Sequence, residues 1–481
     1  MARPCRFLTG FPRANVMRMG YALQASLPGF LKAAPSLKDK LVIAAAGTGE
    51  GKTLVGLALA ALLARRGIPV QPFKIGPDYI DARLYENVCG RAARNVDLWL
   101  DGEEAVRRHV RDASNGSVAL LEGMMGLFDG DTAGDTSTAH VAALLDAPVL
   151  LVIDLWRMSQ SAAAIALGCS QMLPRVRIAG VVLNRVGGTA HESAVRRAFK
   201  AIGIPVLAAL PNRAEWHIPE RHLGLDRDRA ERVLDIANAA ADLLDEQIDK
   251  HMLAADGRLT KRRSPERFGK LSTGSVEGEP ARGDAVVAVA DDAALWFTYP
   301  ETMEALQDAG ANVVRFSPLH DSELPAGTRG LWLGGGYPET HVRELAGNEP
   351  MRRSIASAVS AGLPVYAECG GMMYLAGELE TADGVFPMCG ALRGRTSIAQ
   401  PRLHIGYRRA QALHDSVCDR RGDDLRAYEF HYASEALSEE AAYSTEDARS
   451  GAWRPGLLAS FLHRHFLPGD AAVGRFVAQC V

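Results

Sequence analysis

LVIAAAGTGEGKTLVG, residues Leu41 to Gly56, begins as a short apolar run, passes through a glycine-rich turn and closes on Gly51-Lys52-Thr53. Ala and Leu then recur at helical spacing, so the order is strand, loop, helix, as in a phosphate-binding P-loop. Glycines such as Gly49 and Gly51 let successive backbone N–H groups converge on phosphate oxygens, and the following helix adds the positive end of its dipole. Lys52 is placed to reach the outer phosphates, and the Thr53 hydroxyl to hold Mg²⁺ on ATP. Ala46 stands where the usual pattern has its first glycine. The alternative is an ordinary glycine turn before an alanine-rich helix, with Lys52 exposed.

From Leu41 to about Asp249 strand-like runs recur: LVIAA at 41, PVQPFKI at 69, SVALLEG at 117, PVLLVID at 148, IAGVVLN at 178 and PVLAALP at 205. Helix-period segments, such as Ser159 to Met172 and Glu192 to Ile202, separate most of them. This alternation predicts an α/β fold, a doubly wound, mostly parallel sheet with ligands at the carboxyl ends of its strands.

The chain has 481 residues, 47% hydrophobic and 23% charged, which exceeds one hydrophobic core and fits two or three globular domains. A net charge of −3 gives no global field for nucleic acid or an anionic membrane. No apolar run approaches the roughly 18 residues that span a bilayer, and no secretory signal is evident. The seven cysteines are scattered and form no C-x-x-C pair, against both a disulfide framework and a structural zinc site. A reducing, cytoplasmic setting is expected.

Residues 1 to 40 are Arg-rich and differ in character from the rest of the chain; they read as an extension without an assigned role. Residues 250 to 284 are polar, charged and rich in Gly and Pro, and read as a linker between the P-loop domain at 41–249 and a second α/β domain at 285–481. The second domain resumes with DAVVAVA at 284, NVVRFSP at 312, RGLWLGGG at 329 and LPVYAECGG at 363. Leu403 to Leu413 and Leu425 to Ser434 look like antiparallel strands.

Three acids follow strand ends where a nucleotide site needs them: Asp78 in KIGPDYID, Glu122 in LLEG and Asp129 in GLFDG. Mg²⁺ takes hard oxygen ligands, and Thr53 with Asp78 and Glu122 meets that need. Each acid singly is equally a helix cap or turn residue. In the second domain a buried-type strand runs into Cys369, followed by Gly370-Gly371 and an apolar helix; such a turn exposes a nucleophile near helix-end N–H groups. Gly334-Gly335-Gly336 offer backbone donors for an oxyanion hole, and His463 and His465 in FLHRHF offer bases. The plainer reading of Cys369 is a small buried hydrophobe.

Together, the P-loop, KIGPDYID, EGMMGLFDG, VVLNRVG, GGGYPE, YAECGGMMYL, YEFHYAS and FLHRHF resemble the cobyrinic acid a,c-diamide synthase family, cobalamin-pathway glutamine amidotransferases whose synthetase half is similar to dethiobiotin synthetase. The resemblance runs from Leu41 to the C-terminus. It implies a P-loop synthetase joined to a class I glutamine amidotransferase-like domain, with ATP, Mg²⁺, glutamine and a corrin ring as reactants. It also implies that Lys52 and Thr53 bind phosphate and Mg²⁺, with Asp78 and Glu122 completing the metal site. Asp78, Tyr79 and Asp129 would lie near the substrate carboxylate and the reacting phosphate, and Asn184 would read adenine. Cys369 would be the glutaminase nucleophile and His463 its base, with Gly335 and Gly336 beside the glutamine. Where related enzymes carry a glutamate two residues after that histidine, this chain has His465, so the orienting third member is unassigned. Cobyrinate, hydrogenobyrinate and a nickel sirohydrochlorin remain open as substrates, as does a homodimer. The rival of another class is a nucleotide-switched P-loop binding protein, which would not need Cys369.

Overall fold

The computed structural model describes residues 39–78, 82–131, 135–216, 227–248, 285–446 and 448–481. The expected extension and linker lie outside these residues, apart from Asp39, Lys40 and the limits of the segments.

Seven strands form the first sheet: β1 (Lys40–Ala45), β2 (Val70–Ile75), β3 (Arg94–Val96), β4 (Val118–Glu122), β5 (Val149–Asp154), β6 (Ile178–Val186) and β7 (Val206–Pro211). Their order is β3-β2-β4-β1-β5-β6-β7, and every pairing is parallel. Strands covered on both faces read as continuous apolar runs, which is why periodicity finds six of them. The edge strand Arg-Asn-Val is too short and polar to show. One core packs on each face; Ile43 and Leu57 belong to one, Val42 and Phe73 to the other. Chain order reverses about β1, so the crevice beyond its carboxyl end is the topological switch point where ligands bind.

Helix α1 (Lys52–Arg65) starts in that crevice and is buried from Leu54 to Leu63 between the sheet and the helix Arg227–Gln247. Its alanines admit close packing, and Arg65 closes the far end on Asp242 at 2.6 Å.

The second domain holds a six-stranded sheet containing β8 (Ala285–Ala290), β9 (Ala311–Phe316), β10 (Thr328–Leu333) and β11 (Val365–Glu368). Leu457–Ser460 extends it as a parallel neighbour of β11, a strand that the sequence pattern does not reveal, and Ala452–Arg454 closes that edge antiparallel. The expected antiparallel pair is present as His404–Ala412 against Asp424–His431. No described helix is long and apolar enough to cross a membrane.

Candidate active site

Gly51 takes φ 97° at the N-cap of α1 and makes no side-chain cap, and the helix start there presents the positive end of its dipole, which favours an anion. A Cβ at Gly51 would come within 2.2 Å of Asn184 Nδ2, so the close approach also requires glycine there. Asn184 donates to Glu50 O at 2.9 Å and accepts from Arg185 N at 3.0 Å, which gives the expected adenine reader a second task as a brace on the loop. The Lys52 ammonium curls into the cradle and donates to Gly47 O at 2.9 Å and Met125 O at 2.5 Å.

Around Glu122, 1% exposed, the structure gathers what the chain order separates. Thr53 Oγ1 donates to Oε1 at 2.7 Å, Tyr85 OH to Oε2 at 2.6 Å, and Lys74 Nζ lies 2.9 Å from Oε1. Asp78 Oδ2 sits 3.6 Å from the same Lys74 ammonium. One hydroxyl and two carboxylates of this kind form an all-oxygen donor set suited to Mg²⁺. Asp129 stands nearby, where its Oδ2 accepts from Gly126 N at 2.8 Å and so fixes the turn against the P-loop. Tyr79 lies outside the described residues. Lys74 and Tyr85 escape a reading of the sequence; a lysine inside a strand buried at all six positions is the available signal.

At the second site Cys369 joins β11 to the helix Gly370–Leu375 with φ 47° and ψ −108°, a strained strand-to-helix turn of the kind that can present a nucleophile. The backbone N–H groups of Gly370 and Gly336 point to its sulfur, yet burial, with Glu339 next, pushes the thiol up to about 12. His463 is reached from the neighbouring strand: Cys369 N donates to Ser460 O at 2.7 Å, and His463 follows three residues later. Burial depresses His463 to about 3, so thiol and imidazole each rest neutral. The nearest carboxylate to His463 is that of Glu368, Oε2 to Nδ1 3.8 Å. Glu368 is held by Tyr366 OH at 2.6 Å and Arg464 N at 3.0 Å, and burial raises it to about 7.

Two expectations are corrected here. His465 is not beside Cys369: its Nδ1 faces Asp101 Oδ1 of the first domain at 2.9 Å and its Nε2 faces Glu301. Gly335 has no N–H to offer an oxyanion, because it is spent on Phe297 O at 2.9 Å, whereas the Gly336 N–H is turned to the Cys369 sulfur. Gly335 instead makes room, since a Cβ there would lie 2.8 Å from His463 Cε1.

His404, Glu429 and His431 also gather, with ligand atoms within 4.8 Å of one another, beside Phe430 whose carbonyl is 3.9 Å from Cys369 Sγ. The two imidazoles are face-stacked, 4.7 Å apart and 1° from parallel. In-plane lone pairs on parallel stacked rings do not meet at one ion, and Arg408 already pairs with Glu429 at 2.8 Å. This cluster therefore packs beside Cys369 and does not form a metal site.

Comparison with known proteins finds one family match in each half of the chain. Residues 41–225 match the CobQ/CobB/MinD/ParA nucleotide binding domain, and residues 286–471 match the CobB/CobQ-like glutamine amidotransferase domain. The cobyrinate a,c-diamide synthase of Syntrophotalea carbinolica is 39% identical over 92% of this chain and 98% of its own length. The chain belongs to the a,c-diamide synthase family. The hydrogenobyrinate a,c-diamide synthase of Streptomyces coelicolor is equally similar, 39% identical over 92% of this chain and 98% of its own. The cobyrinate a,c-diamide synthase of Listeria innocua is 36% identical over 90% and 97%. As an a,c-diamide synthase family member the chain is an amide-forming ligase that draws nitrogen from glutamine, with ATP used in its nucleotide-binding half. Glu368 is a residue that the sequence reading did not single out, because it precedes Cys369 and meets His463 only across the fold.

Proposed function

We propose that this chain amidates the a and c side-chain carboxylates of cobyrinate, taking ATP and glutamine in two joined active sites. What supports the reading most is that one chain carries both the Lys52–Glu122–Asp78 crevice and the Cys369–His463 turn, with the curated relatives covering nearly its whole length. Hydrogenobyrinate is the second reading, supported by relatives of that name at the same 39% identity.

A carboxylate is a poor electrophile, and transfer of the ATP γ-phosphoryl to its oxygen turns that oxygen into a leaving group. Lys52 would exchange its two carbonyl partners for phosphate oxygens and offset the charge that develops there. Thr53, Glu122 and Asp78 would hold Mg²⁺, which would supply charge neutralisation at the phosphate oxygens. Lys74 balances the negative charge of Glu122 and Asp78, and Asp129 fixes the turn that closes over the phosphates.

In the other half the Cys369 thiol attacks the glutamine side-chain carbonyl while His463 takes its proton. The N–H groups of Gly336 and Gly370 hold the oxyanion as the thioester forms. His463 returns the proton to the departing nitrogen, and water releases glutamate. Ammonia attacks the acyl phosphate only while unprotonated, which favours a path sheltered between the domains.

The test supplies purified protein with Mg·ATP, glutamine and each ring in turn, and follows products by mass. Two successive gains of one amide on cobyrinate support the proposal; gains on hydrogenobyrinate alone select the second reading. Cys369→Ser removes glutamine-dependent synthesis and keeps ammonium-dependent synthesis, and loss of both refutes the two-site mechanism.

A further inference from the structure

The contact between the two domains buries more charge than adhesion requires. His465 Nδ1 lies 2.9 Å and 3.0 Å from the two carboxylate oxygens of Asp101, at the end of the short helix Leu98–Asp101. Its Nε2 lies 3.8 Å from Glu301 Oε2. Glu301 Oε1 meets His109 Nε2 at 3.1 Å and accepts the Asn95 N–H at 2.9 Å. His109, Asn95 and Asp101 belong to the synthetase half, and Glu301 and His465 to the glutaminase half. None of the His109, Asp101, Glu301 and His465 side chains is more than 8% exposed. Ions taken from water at such depth recover the cost only in good geometry, so a network of this kind specifies a register more than it adds affinity.

A second observation is independent of charge. The His465 ring meets Tyr299 edge-on at 4.9 Å, Tyr299 meets Phe297 at 5.3 Å, and Phe297 stacks on His463 at 4.8 Å. Tyr299 OH donates to Pro77 O at 3.0 Å, immediately before Asp78. Asn95 Nδ2 holds Gly76 O at 2.8 Å and Asp78 O at 2.9 Å. Phe297 also exchanges both backbone hydrogen bonds with Gly335, next to the oxyanion donor Gly336. The segment from Phe297 to Glu301 therefore touches the glutaminase base, the oxyanion loop and the phosphate-side loop at once.

We propose that His465 is a positioning residue: with Asp101, Glu301 and Tyr299 it seats the segment Phe297 to Glu301 on the Gly76 to Asp78 loop, and that seating puts His463 and Gly336 in working geometry. The position that holds the orienting acid of a glutaminase triad in related enzymes here serves as the clasp between the two halves. The inference rests on the proposed reaction, and glutamate release without any ring reads it separately.

The experiment compares the wild-type chain with His465→Gln and Tyr299→Phe in three assays: glutamate release from glutamine, ammonium-dependent amidation, and glutamate formed per amide. For His465→Gln, kcat for glutamate release falls by between about tenfold and a hundredfold with KM for glutamine little changed, the scale of a misplacement near 1 Å. Ammonium-dependent synthesis is retained. Asp101→Asn added to His465→Gln removes the stranded carboxylate and restores part of the lost rate, because an unpaired buried charge costs more than a lost pair. Tyr299→Phe raises glutamate formed per amide at an unchanged melting temperature. Wild-type glutamate release in His465→Gln overturns the proposal. So does equal loss of the ammonium-dependent reaction, which would place His465 in folding or synthetase chemistry, and so does an unchanged ratio in Tyr299→Phe. Failure of the wild-type chain to amidate any ring with ammonium would instead overturn the proposed substrate and leave the glutamate-release comparison readable.

Discussion

Gly335→Ala isolates the geometry of the glutaminase base without touching a polar group. An added Cβ would stand 2.8 Å from His463 Cε1 and 3.0 Å from Phe297 Cδ1. Carbon atoms pack at about 3.5–4.0 Å, so the imidazole must retreat by roughly 0.7 to 1.2 Å. The backbone of Gly335 cannot yield instead, because its N–H and C=O are both tied to Phe297, at 2.9 and 3.0 Å. A displacement of that size between a base and its nucleophile costs up to about a hundredfold in rate. The accompanying overpacking costs about 1–3 kcal/mol of stability, which a second domain of this size absorbs while still folding. The assay runs amidation in parallel with glutamine and with ammonium, alongside glutamate release. Glutamine-dependent turnover should fall by about two orders of magnitude while ammonium-dependent turnover stays within about twofold. Gly347→Ala serves as control, since a Cβ there would meet nothing within 4 Å. Wild-type glutamine turnover in Gly335→Ala would refute His463 as the base, and equal loss with both nitrogen sources would refute the separation of the two sites.

Three further outcomes rest on the same contacts. Lys52→Ala removes the only side-chain cation drawn into the P-loop by Gly47 and Met125 among the described residues, and should abolish synthesis with glutamine or ammonium alike; retained synthesis in a product assay contradicts the P-loop assignment. Lys74→Met strands Glu122, 1% exposed, without its 2.9 Å ammonium partner and should cost about 3–5 kcal/mol, read as a lowered denaturant midpoint. Asp97, raised from 3.8 to about 6 by burial and then by Asp101, holds its proton in the folded chain where the unfolded chain has released it, so stability falls as pH rises from about 4 to about 6 and is flat above. A rise of that size corresponds to about 3 kcal/mol, and Asp97→Asn, which keeps the helix cap, should flatten that slope in denaturation series across about pH 4 to 7.

Much of this architecture is legible in the sequence because the first domain obeys one rule throughout. Parallel strands covered on both faces must be apolar at every position, so LVIAA, SVALLEG and PVLLVID announce themselves, and the glycine-lysine-threonine turn marks the end at which a ligand binds. The same rule explains the omissions. Arg94–Val96 is a three-residue edge strand, and Leu457–Ser460 is a four-residue strand lying in a region otherwise of antiparallel character, so neither offers enough residues for a period. Cys369 is legible from its glycine-flanked turn, but its surroundings are not, since the approach of Glu368 to His463 and of the Gly336 N–H to the sulfur is set by the packing of strands distant along the chain.

His465 shows where reading by pattern gives way to three-dimensional chemistry. Two histidines separated by one residue look interchangeable as bases, yet His463 and His465 serve different partners. His463 turns to Phe297 and Glu368, in a setting where burial leaves it neutral. His465 turns to the other domain, where burial alone would lower it but Asp101 and Glu301 hold it well above the usual imidazole range. Glu301, which burial alone would raise, is held below the carboxylate range by His109 and His465. The signs combine to bound the clasp from both sides: the Glu301 contribution is present above the unfolded carboxylate pKa and lost as pH falls through its depressed folded value, while the His465 contribution is lost only as pH rises through its elevated one. Neutral pH lies inside that window, so the register between the two halves is set by ions that stay charged while Cys369 and His463 nearby stay neutral.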